Sequence, residues 1–343
     1  MRRTTLELRP IFVMRVFAAI LLALAIPAAR AQKFPHERLP QNGTLGTLIR
    51  QANLYSSADE SAGPIAEVNP GRELVVVEQN GKWLRVFANT DSPDTRESDR
   101  PEFSNDQPQP ISGWMLDKGI VTTNTPHGDL ILFGAADAAE QQASVADPLP
   151  GMAEQARLLY RRVVMMFPES PWTPEAMYRA ADIRWQIQKA DSSSLPSAHE
   201  KANYLREQMD EDEMKAVEKY FPHTRWADLA AFDMIDNKLC GDWQGSEKCP
   251  EQESGYYLQY VSEHPNSPKA ADALYAAAWR LASAGDMWSE DGNPKRAQED
   301  RDHARAVVDS MEQHFPDSSF TARGADLVYK MDQGIAIYGN SRE

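Results

Sequence analysis

Phe167-Pro168-Glu169-Ser170 begins a pattern that returns three more times in the second half of the chain. The other three stretches are Phe221-Pro222-His223-Thr224, His264-Pro265-Asn266-Ser267 and Phe315-Pro316-Asp317-Ser318. Proline cannot continue a preceding helix, because it has no N–H and its ring clashes with the turn before it. The Ser or Thr two residues later can accept a hydrogen bond from the free N–H groups of a new helix, as an N-cap. Each stretch therefore predicts a corner between two helices.

Residues at fixed distances from the four corner prolines are alike. Eight residues after each proline the residue is small, which allows the first helix to pack closely against the second. The small residues are Ala176, Ala230, Ala273 and Gly324. The apolar residues are Val163, Val217, Tyr260 and Met311 five positions before the prolines, and Tyr160, Met214, Tyr257 and Val308 eight positions before them. We interpret this as an internal repeat of about four helix pairs. Neither helix of a pair can bury its apolar face alone, so neighbouring pairs are expected to stack into a solenoid.

The repeat predicts helix pairs through the second half of the chain. The expected helices are 152–167 and 173–189, a second pair from near Ala198 to 239, then 250–263 and 268–284, and finally 295–314 and 319–333. Trp172, Trp226 and Phe320 follow their corners, and we interpret them as wedges between neighbouring pairs rather than as a substrate platform. The acidic run at 210–213 lacks the glycine and the ligand alternation of a calcium loop. It is expected to be a solvated face or a helix start.

Residues 43–124 change to short apolar runs that are separated by turn signals. Asn69-Pro70-Gly71 combines the fixed φ of proline with the freedom of glycine, and Asn80-Gly81 is typical of a β-hairpin. Strands are expected at 52–55, 65–68, 73–78, 83–86, 113–115 and 120–121. Short strands at this spacing predict a small all-β barrel. Residues 89–110 hold four prolines, many charges and almost no apolar side chains, which predicts a disordered insertion.

This part of the chain resembles the bacterial SH3-like domain of exported proteins. The matching stretches are Asn53-Leu54-Tyr55, Pro70-Gly71 before a Val-rich strand, Gly81-Lys82-Trp83-Leu84-Arg85-Val86 and Gly113-Trp114-Met115. The resemblance implies a binding module that contacts cell-wall peptides or proteins and has no catalytic residues. Tyr55, Trp83 and Trp114 are candidates for an aromatic ligand groove. The alternative is that Trp83 and Trp114 belong to the core, because strands of a barrel bury alternate residues.

The helical part, residues 151–335, resembles the tetratricopeptide-like repeats of periplasmic outer-membrane assembly and cell-division coordinator proteins. The corner prolines are 54, 43 and 51 residues apart, and a bare repeat of this kind has a period of 34 residues. We therefore expect insertions and longer helices. The whole arrangement resembles a bacterial family of exported proteins that combine an SH3-like domain with helical repeats. The stretch Leu239-Cys240-Gly241-Asp242-Trp243-Gln244-Gly245 resembles a marker of that family and implies no activity.

Residues 1–31 have the order of a secretory signal peptide. Arginines precede an apolar run at 16–26, and Ala29-Arg30-Ala31 is a small-x-small site, which predicts cleavage between Ala31 and Gln32. Met14 is an alternative start. The apolar run is shorter than the roughly 20 residues of a membrane-spanning helix, and Gln32 is not the Cys that a lipid anchor requires. We therefore expect a periplasmic or secreted protein that is not lipid-anchored and has no transmembrane span in the mature chain.

These patterns predict an α+β multidomain chain, with a small all-β SH3-like barrel before an all-α tetratricopeptide-like solenoid. The expected order is signal peptide 1–31, linker 32–42, SH3-like barrel 43–124 with its insertion at 89–110, connector 125–150, helical repeats 151–338 and tail 339–343. The connector shows no clear periodicity, although 129–133 is compatible with a strand or a short helix.

Acidic residues outnumber basic ones, with 51 Asp and Glu against 36 Lys and Arg. Residues 1–31 hold five Arg and one Glu, so the mature chain has 31 basic and 50 acidic residues and a net charge of −19. Nucleic acid is not an expected partner, because its phosphates need a concentrated basic surface. Binding to anionic lipid is disfavoured in the same way. The balance indicates either a solubilising acidic surface or attraction of a basic partner peptide.

Cys240 and Cys249 are the two cysteines of the chain. Their spacing is not the C-x-x-C of a redox or metal site, and no matching ligand pair lies nearby in the sequence. In an exported protein the default is a disulfide, and chain-entropy reasoning gives a loop this short roughly 2–3 kcal/mol. We predict a structural disulfide, with reactive thiols as the alternative.

The sequence contains no H-E-x-x-H, Walker A, G-x-S-x-G or G-x-G-x-x-G motif, and it suggests no catalytic, metal or cofactor-binding residues. We expect a non-enzymatic scaffold or adaptor of the cell envelope. Its helical repeats would bind a protein or peptide partner, and its SH3-like barrel would contact peptidoglycan or a second protein. The alternative is an accessory module of a cell-envelope enzyme, or a hydrolase with an unrecognised site. A deep pocket with converging Asp, Glu or His would favour the enzyme, and a broad groove the scaffold.

Overall fold

The structure is a computed structural model that describes residues 43–91, 110–243, 246–337 and 339. The signal peptide and linker predicted at 1–42, most of the predicted insertion and most of the tail lie outside the described residues. In the described ranges an antiparallel sheet is followed by nine α-helices, so the fold class is α+β. Among the helices of these ranges, none is long and apolar enough to cross a membrane.

Among the described residues the sheet has seven strands, which pair antiparallel in the order β3-β2-β6-β5-β4-β1-β7. The strands are β1 (Thr44–Leu48), β2 (Ala52–Tyr55), β3 (Pro64–Val68), β4 (Glu73–Asn80), β5 (Trp83–Ala88), β6 (Ile111–Leu116) and β7 (Ile120–Thr122). β4 and β5 form the predicted hairpin, in which Asn80 pairs with Trp83 and Gly81 has a φ of 59°. Glycine adopts this left-handed conformation without strain. The structure confirms the six predicted strands and adds β1.

One face of the sheet forms an apolar core. Leu48, Leu54, Leu74, Val86 and Met115 meet there without any exposed surface. Burying a side chain of this size stabilises the fold by about 1.5–3 kcal/mol relative to leaving it exposed. The alternation of buried and less buried residues along β5 and β6 follows from the two-residue period of a strand.

The first residues of the predicted insertion are packed on β4. Thr90 donates its N–H to the Glu73 carbonyl at 3.3 Å and its hydroxyl to the Glu73 carboxylate at 2.7 Å. The Asp91 carboxylate accepts the Glu73 N–H at 3.2 Å and pairs with Arg72. Residues 89–91 are therefore fixed structure, and residues 92–109 lie outside the described residues.

The helices follow the corners that the sequence predicts. They are α1 (Gly128–Ala143), α2 (Met152–Met166), α3 (Thr173–Ser193), α4 (Asp212–Tyr220), α5 (Arg225–Asp233), α6 (Lys248–Glu263), α7 (Ala270–Glu290), α8 (Pro294–His314) and α9 (Ser319–Asp332). Two differences from the expectation stand out. The predicted connector contains the 16-residue helix α1. The second pair, expected to begin near Ala198, begins later: residues 194–211 form a loop with two short 3-10 turns, and α4 begins only at Asp212.

The residue before the corner proline has the same backbone conformation at all four corners, whereas the residue after it is left-handed only at the second corner, where His223 has a φ of 61°. The residue before each proline ends the first helix with φ between −127° and −135° and ψ between 49° and 59°, outside the helical region that a following proline disfavours. The Ser or Thr hydroxyl then accepts an N–H at the start of the second helix. The donors are the N–H groups of Trp172, Ala227, Lys269 and Phe320. Thr224 and Ser318 are the N-caps of α5 and α9, as predicted. Before α3 and α7 the N-cap positions are Trp172 and Lys269, so there the Ser hydroxyl bonds within the turn that precedes the helix.

The small residue after each corner packs against the first helix of its pair. Ala176, Ala230 and Ala273 have no exposed surface, and each belongs to the same cluster as the apolar residues before its corner. At the fourth corner, a Cβ added to Gly324 would lie 3.2 Å from both methyl groups of Val308. The repeat inferred from the sequence is therefore a repeat in the packing.

A second regularity links each helix pair to the pair before it. The residue four positions after a corner proline contacts an aromatic ring ten positions after the previous corner proline. Trp226 stacks on Tyr178 with 5.7 Å between ring centroids, and Phe320 meets Tyr275 at 6.1 Å. At the third corner Lys269 takes this place, with Nζ 5.1 Å from the centre of the Phe232 ring. The interpretation of Trp226 and Phe320 as wedges between pairs is confirmed.

The two ends of this series differ from its middle. Before the first pair, Trp172 meets Phe133 of α1 at 4.7 Å between ring centroids, so α1 acts as the preceding layer. After the last pair, the position ten residues beyond Pro316 is Asp326, an exposed carboxylate that pairs with Lys330 at 2.7 Å. Repeat proteins that stack have a polar outer face on the terminal repeat, and an exposed Asp326 at this position agrees with such an end.

The sheet and the first helices share a core. Val121 of β7 is buried in one cluster with Leu132 of α1 and Tyr160 of α2. Arg162 of α2 is 3% exposed, and its Nε donates to the Gly71 carbonyl at 2.7 Å. Its two terminal nitrogens pair with the carboxylates of Glu73 at 3.2 Å and Asp91 at 3.1 Å. The position of the sheet on α2 is thus fixed by a buried cation as well as by apolar contact.

Candidate functional site

The three aromatic residues of the predicted groove lie together on the face of the sheet opposite its apolar core. Tyr55 is the register partner of Trp114, and the rings of Tyr55 and Trp83 meet edge to face with 5.4 Å between centroids. Their sequence neighbours Leu54, Leu84 and Met115 belong to the core cluster. Tyr55 and Trp83 are 9% and 7% exposed, whereas Trp114 is half-buried. Trp114 is therefore the member of this cluster with the most ring surface left for a ligand.

A cavity of about 400 Å³ that is open to solvent lies where the turn between β7 and α1 meets the first corner. Its lining includes Ser170, His127 and Asp129, which are residue types of a hydrolase. The Ser170 hydroxyl donates to the Asp129 carboxylate at 2.6 Å and accepts the Trp172 N–H at 3.2 Å. The bond from Ser170 lowers the pKa of Asp129. Both polar functions of the hydroxyl serve the helix corner, and its proton is directed at a carboxylate and not at the imidazole base that activates a serine.

The acidic run at 210–213 neutralises buried arginines. Asp210 pairs with Arg184 at 3.0 Å, and Glu213 pairs with Arg157 at 2.6 Å. The two guanidinium groups belong to residues that are only 3% and 1% exposed. Buried charges need such partners, because an unpaired ion in the interior is costly. The run leads into α4, which agrees with the predicted helix start. Asp210 and Glu213 belong to an interior ion-pair network, so these two residues do not form a solvated face.

The marker stretch at 239–245 is a structural junction as far as the described residues reach. Cys240 forms the predicted disulfide with Cys249. Gly241 donates its N–H to the Glu200 carbonyl, and a Cβ on Gly241 would lie 2.5 Å from that oxygen. The indole N–H of Trp243 and the N–H of Cys240 both donate to Oε1 of Glu253, at 3.1 Å and 2.8 Å. This stretch therefore ties the 194–211 loop to α6.

Glu253 in turn binds Arg280 of α7. Arg280 Nε donates to Glu253 Oε2 at 2.6 Å, and the two residues are 3% and 1% exposed. The guanidinium of Arg280 also lies 4.7 Å from the centre of the Tyr257 ring. A cavity of about 170 Å³ adjoins this pair, and its lining includes Lys189, Ser193, Arg206 and Asp236.

Two half-buried carboxyl groups lie near each other on α3 and α5. Burial, as the largest cause, and the charge of Asp182, as the second, raise the pKa of Asp233 to about 7. A hydrogen bond that Asp233 accepts from Tyr178 at 2.9 Å acts against this rise. Burial also raises the pKa of Asp182. The charge of Lys269 lowers the pKa of both carboxyl groups. Partly dehydrated carboxyls that repel each other favour a cationic group beside them.

Within the described residues, no group of three or more His, Cys, Asp or Glu side chains is arranged to hold a metal ion. No protein-family model matches the chain, and no curated protein matches it. Its function therefore has to be inferred from its own residues.

Most of the charged residues at these places were not found from the sequence. Arg206, Asp182 and Asp233 lie on elements that come together only through packing. Arg280 had a detectable signal, because it is the sole charged residue between Asp272 and Asp286 in an Ala-rich helix. A cation inside an apolar run predicts a buried partner, since Arg is seldom fully buried unless paired.

Proposed function

We propose that this chain is an exported, non-enzymatic adaptor of the cell envelope that binds a protein or peptide partner on its stacked helix pairs. In this proposal the helices are tetratricopeptide-like repeats, and the sheet is an SH3-like domain that contacts peptidoglycan or a second protein. The alternative is an accessory module of a cell-envelope enzyme or a hydrolase.

The observation that best supports the adaptor is the regular contact between successive helix pairs. Trp226, Lys269 and Phe320 occupy equivalent positions and contact equivalent rings of the preceding pair. In arrays of this kind each repeat contacts its neighbours, and the repeated faces form one extended surface that suits an elongated partner.

The charge of that surface favours a basic partner. Asp182 and Asp233 are half-buried acids with raised pKa values on adjacent helix pairs. A lysine or arginine of a bound peptide would stabilise their ionised forms by opposite charge. The net charge of −19 after the predicted cleavage acts in the same direction over longer distances.

Two further features agree with an exported adaptor. Disulfides persist in oxidising compartments, and Cys240 is bonded to Cys249. On the sheet, Trp114 presents a half-buried ring beside Tyr55, as a platform for a second contact. The hydrolase alternative would rest on the cavity at Ser170, where the hydroxyl is engaged in the corner and by Asp129.

Capture from an extract of membranes and periplasm tests the proposal. The full chain would be compared with the double variant Asp182→Asn and Asp233→Asn. We expect specific proteins on the unchanged chain, and at least about tenfold less of them on the double variant, which corresponds to about 1.4 kcal/mol. Capture should also weaken at high salt, because the Debye length shrinks to roughly 3 Å at 1 M.

Asp326→Asn is the matched control, since Asp326 is an exposed aspartate on the terminal pair. It should capture the same proteins as the unchanged chain. Equal capture by the double variant would place the partner elsewhere. If no protein is captured by any of the three chains, the adaptor function is contradicted.

A further inference from the structure

The cavity of about 170 Å³ beside the disulfide has an excess of positive charge in a chain that is acidic overall. Lys189, Arg206 and Arg280 line it, against the two carboxylates of Asp236 and Glu253. Lys189 pairs with Asp236 at 2.5 Å, and Arg280 pairs with Glu253 at 2.6 Å. In the described part of the chain, Arg206 has no carboxylate partner. The unbalanced charge of the cavity is therefore on Arg206.

The guanidinium of Arg206 is incompletely bonded. One terminal nitrogen donates to the Leu239 carbonyl at 2.8 Å, whereas Nε is buried and has no hydrogen-bond partner among the described residues. A buried donor without an acceptor destabilises the fold, and more so when it is charged. Because Nε has no accessible surface, an acceptor in the cavity would bond the terminal nitrogens, one of which has no hydrogen bond among the described residues and is not fully buried.

The carboxylates of the cavity are already engaged. Glu253 Oε1 accepts the N–H groups of Cys240 and Trp243, and its Oε2 accepts Arg280 Nε. Asp236 is engaged by Lys189. α3 ends beside the cavity, and the negative end of a helix would repel an anion. The Lys189 carbonyl near this end accepts the hydroxyls of Ser192 and Ser193, two serines that line the cavity.

We propose that this cavity binds the carboxylate of a small ligand, with Arg206 as the principal donor. A guanidinium matches a carboxylate through two parallel N–H···O bonds, and the single excess charge matches a monoanion better than a phosphate dianion. At roughly 30 Å³ per water molecule, the volume corresponds to about six waters. It admits a carboxylate on a short group, such as the C-terminal residue of a peptide.

This site goes beyond the proposed adaptor function and does not depend on the surface at Asp182 and Asp233. It can exist whether or not a protein partner binds there. The two tests are therefore separable, because one uses captured proteins and the other uses a defined small molecule.

Calorimetric titration of the full chain with N-acetylalanine tests the site. N-acetylalanine amide is the uncharged control, and orthophosphate is the competing anion. We expect saturable binding of N-acetylalanine, with at least about tenfold weaker binding of the other two compounds. Arg206→Gln should weaken the binding of N-acetylalanine by at least about tenfold. Arg296→Gln, which changes an exposed arginine paired with Glu251 and outside the cavity lining, should leave it unchanged.

A second measurement uses the unchanged chain, so it does not require the Arg206→Gln variant to fold. The Nε–Hε resonance of Arg206 in the unchanged chain should shift on addition of N-acetylalanine and remain in place with the amide. The proposal is overturned if the amide binds as tightly as the acid, or if Arg206→Gln binds like the unchanged chain. It is also overturned if orthophosphate binds as tightly as N-acetylalanine, or if no saturation is reached at about 10 mM.

Discussion

Ala230 and Ala273 show how strictly the helix corners restrict one position. Both side chains have no exposed surface and lie eight residues after a corner proline. Replacement of either by Trp should overpack the contact between the two helices of its pair, and overpacking costs about 1–3 kcal/mol or more. The measurement is thermal and urea unfolding followed by circular dichroism. Ala322→Trp, at an exposed position of α9, is the control and should melt close to the unchanged chain. A wild-type melting temperature for either buried variant would contradict the alignment of that pair.

Asp233 gives the molecule a measurable pH dependence. Its pKa is about 7 in the folded chain against 3.8 as the ordinary value. Between these values the folded chain holds a proton that the unfolded chain has released. The stability from this group is therefore complete below about pH 4 and is lost as the pH rises toward 7. Asp182, Asp236, Lys269 and Tyr178 are the groups that act on it.

The variant Asp233→Asn cannot ionise, so it should not lose stability in this way. Its free energy of unfolding, relative to the unchanged chain, should rise from pH 4 to pH 7 with a slope of at most about 1.4 kcal/mol per pH unit. Urea unfolding at several pH values gives this difference. Asp326→Asn, at the exposed end of the array, should show a flat difference. If the free energy of unfolding changed with pH in the same way for Asp233→Asn and for the unchanged chain, the raised pKa would be contradicted.

At the scale of the elements, the helices with a local boundary signal were predictable and the others were not. Each corner combines a proline with a Ser or Thr whose hydroxyl accepts a nearby N–H, and these act within a few residues. β1 has no such signal, because its strand form depends on pairing with β4 and β7. α1 has a weak apolar period, and it is stabilised by packing Leu132 and Phe133 into one cluster with residues of α2.

The same distinction applies to the candidate sites. Tyr55, Trp83 and Trp114 were found because aromatic residues on short strands stand out in a sequence. The residues that contact Arg206 and Arg280 were not found from the sequence, because the cavity forms between segments that are distant in the chain. Glu253 and Arg280, for example, are 27 residues apart. Spacing in the sequence contains no signal for such a contact.

The disulfide fixes the segment that joins α5 to α6. Replacement of both Cys240 and Cys249 by Ser should lower the stability by roughly 2–3 kcal/mol, because the unfolded chain gains the freedom of a short loop. The fold should persist, since Glu253 still holds the Cys240 N–H position and Trp243. Thermal unfolding measures the effect. Reductant should lower the melting temperature of the unchanged chain to that of the double variant and have no effect on the variant itself. Equal melting temperatures without reductant would contradict this role.

At the scale of the whole molecule, the sheet and the first helices act as one folding unit. Val121, Leu132 and Tyr160 belong to three successive elements and share one buried cluster. Separating the sheet from the helices would expose the apolar faces of α1 and α2. Experiments on function therefore need the full chain with single substitutions, because isolated halves would present new apolar surface.

Arg162 is the residue on which this coupling can be tested. Arg162→Met removes the hydrogen bond to the Gly71 carbonyl and leaves the carboxylates of Glu73 and Asp91 without their buried cation. Loss of one partner from a buried ion pair costs about 3–5 kcal/mol. Hydrogen exchange should accelerate in β4 and in α2 together and remain unchanged in α8 and α9, since stacked pairs communicate mainly with their neighbours.

Lys215→Met, which removes an exposed pair within one helix turn, should cost less than about 0.5 kcal/mol. If exchange accelerates in β4 while α2 keeps its protection, the sheet folds independently of the helices and the shared core does not couple them.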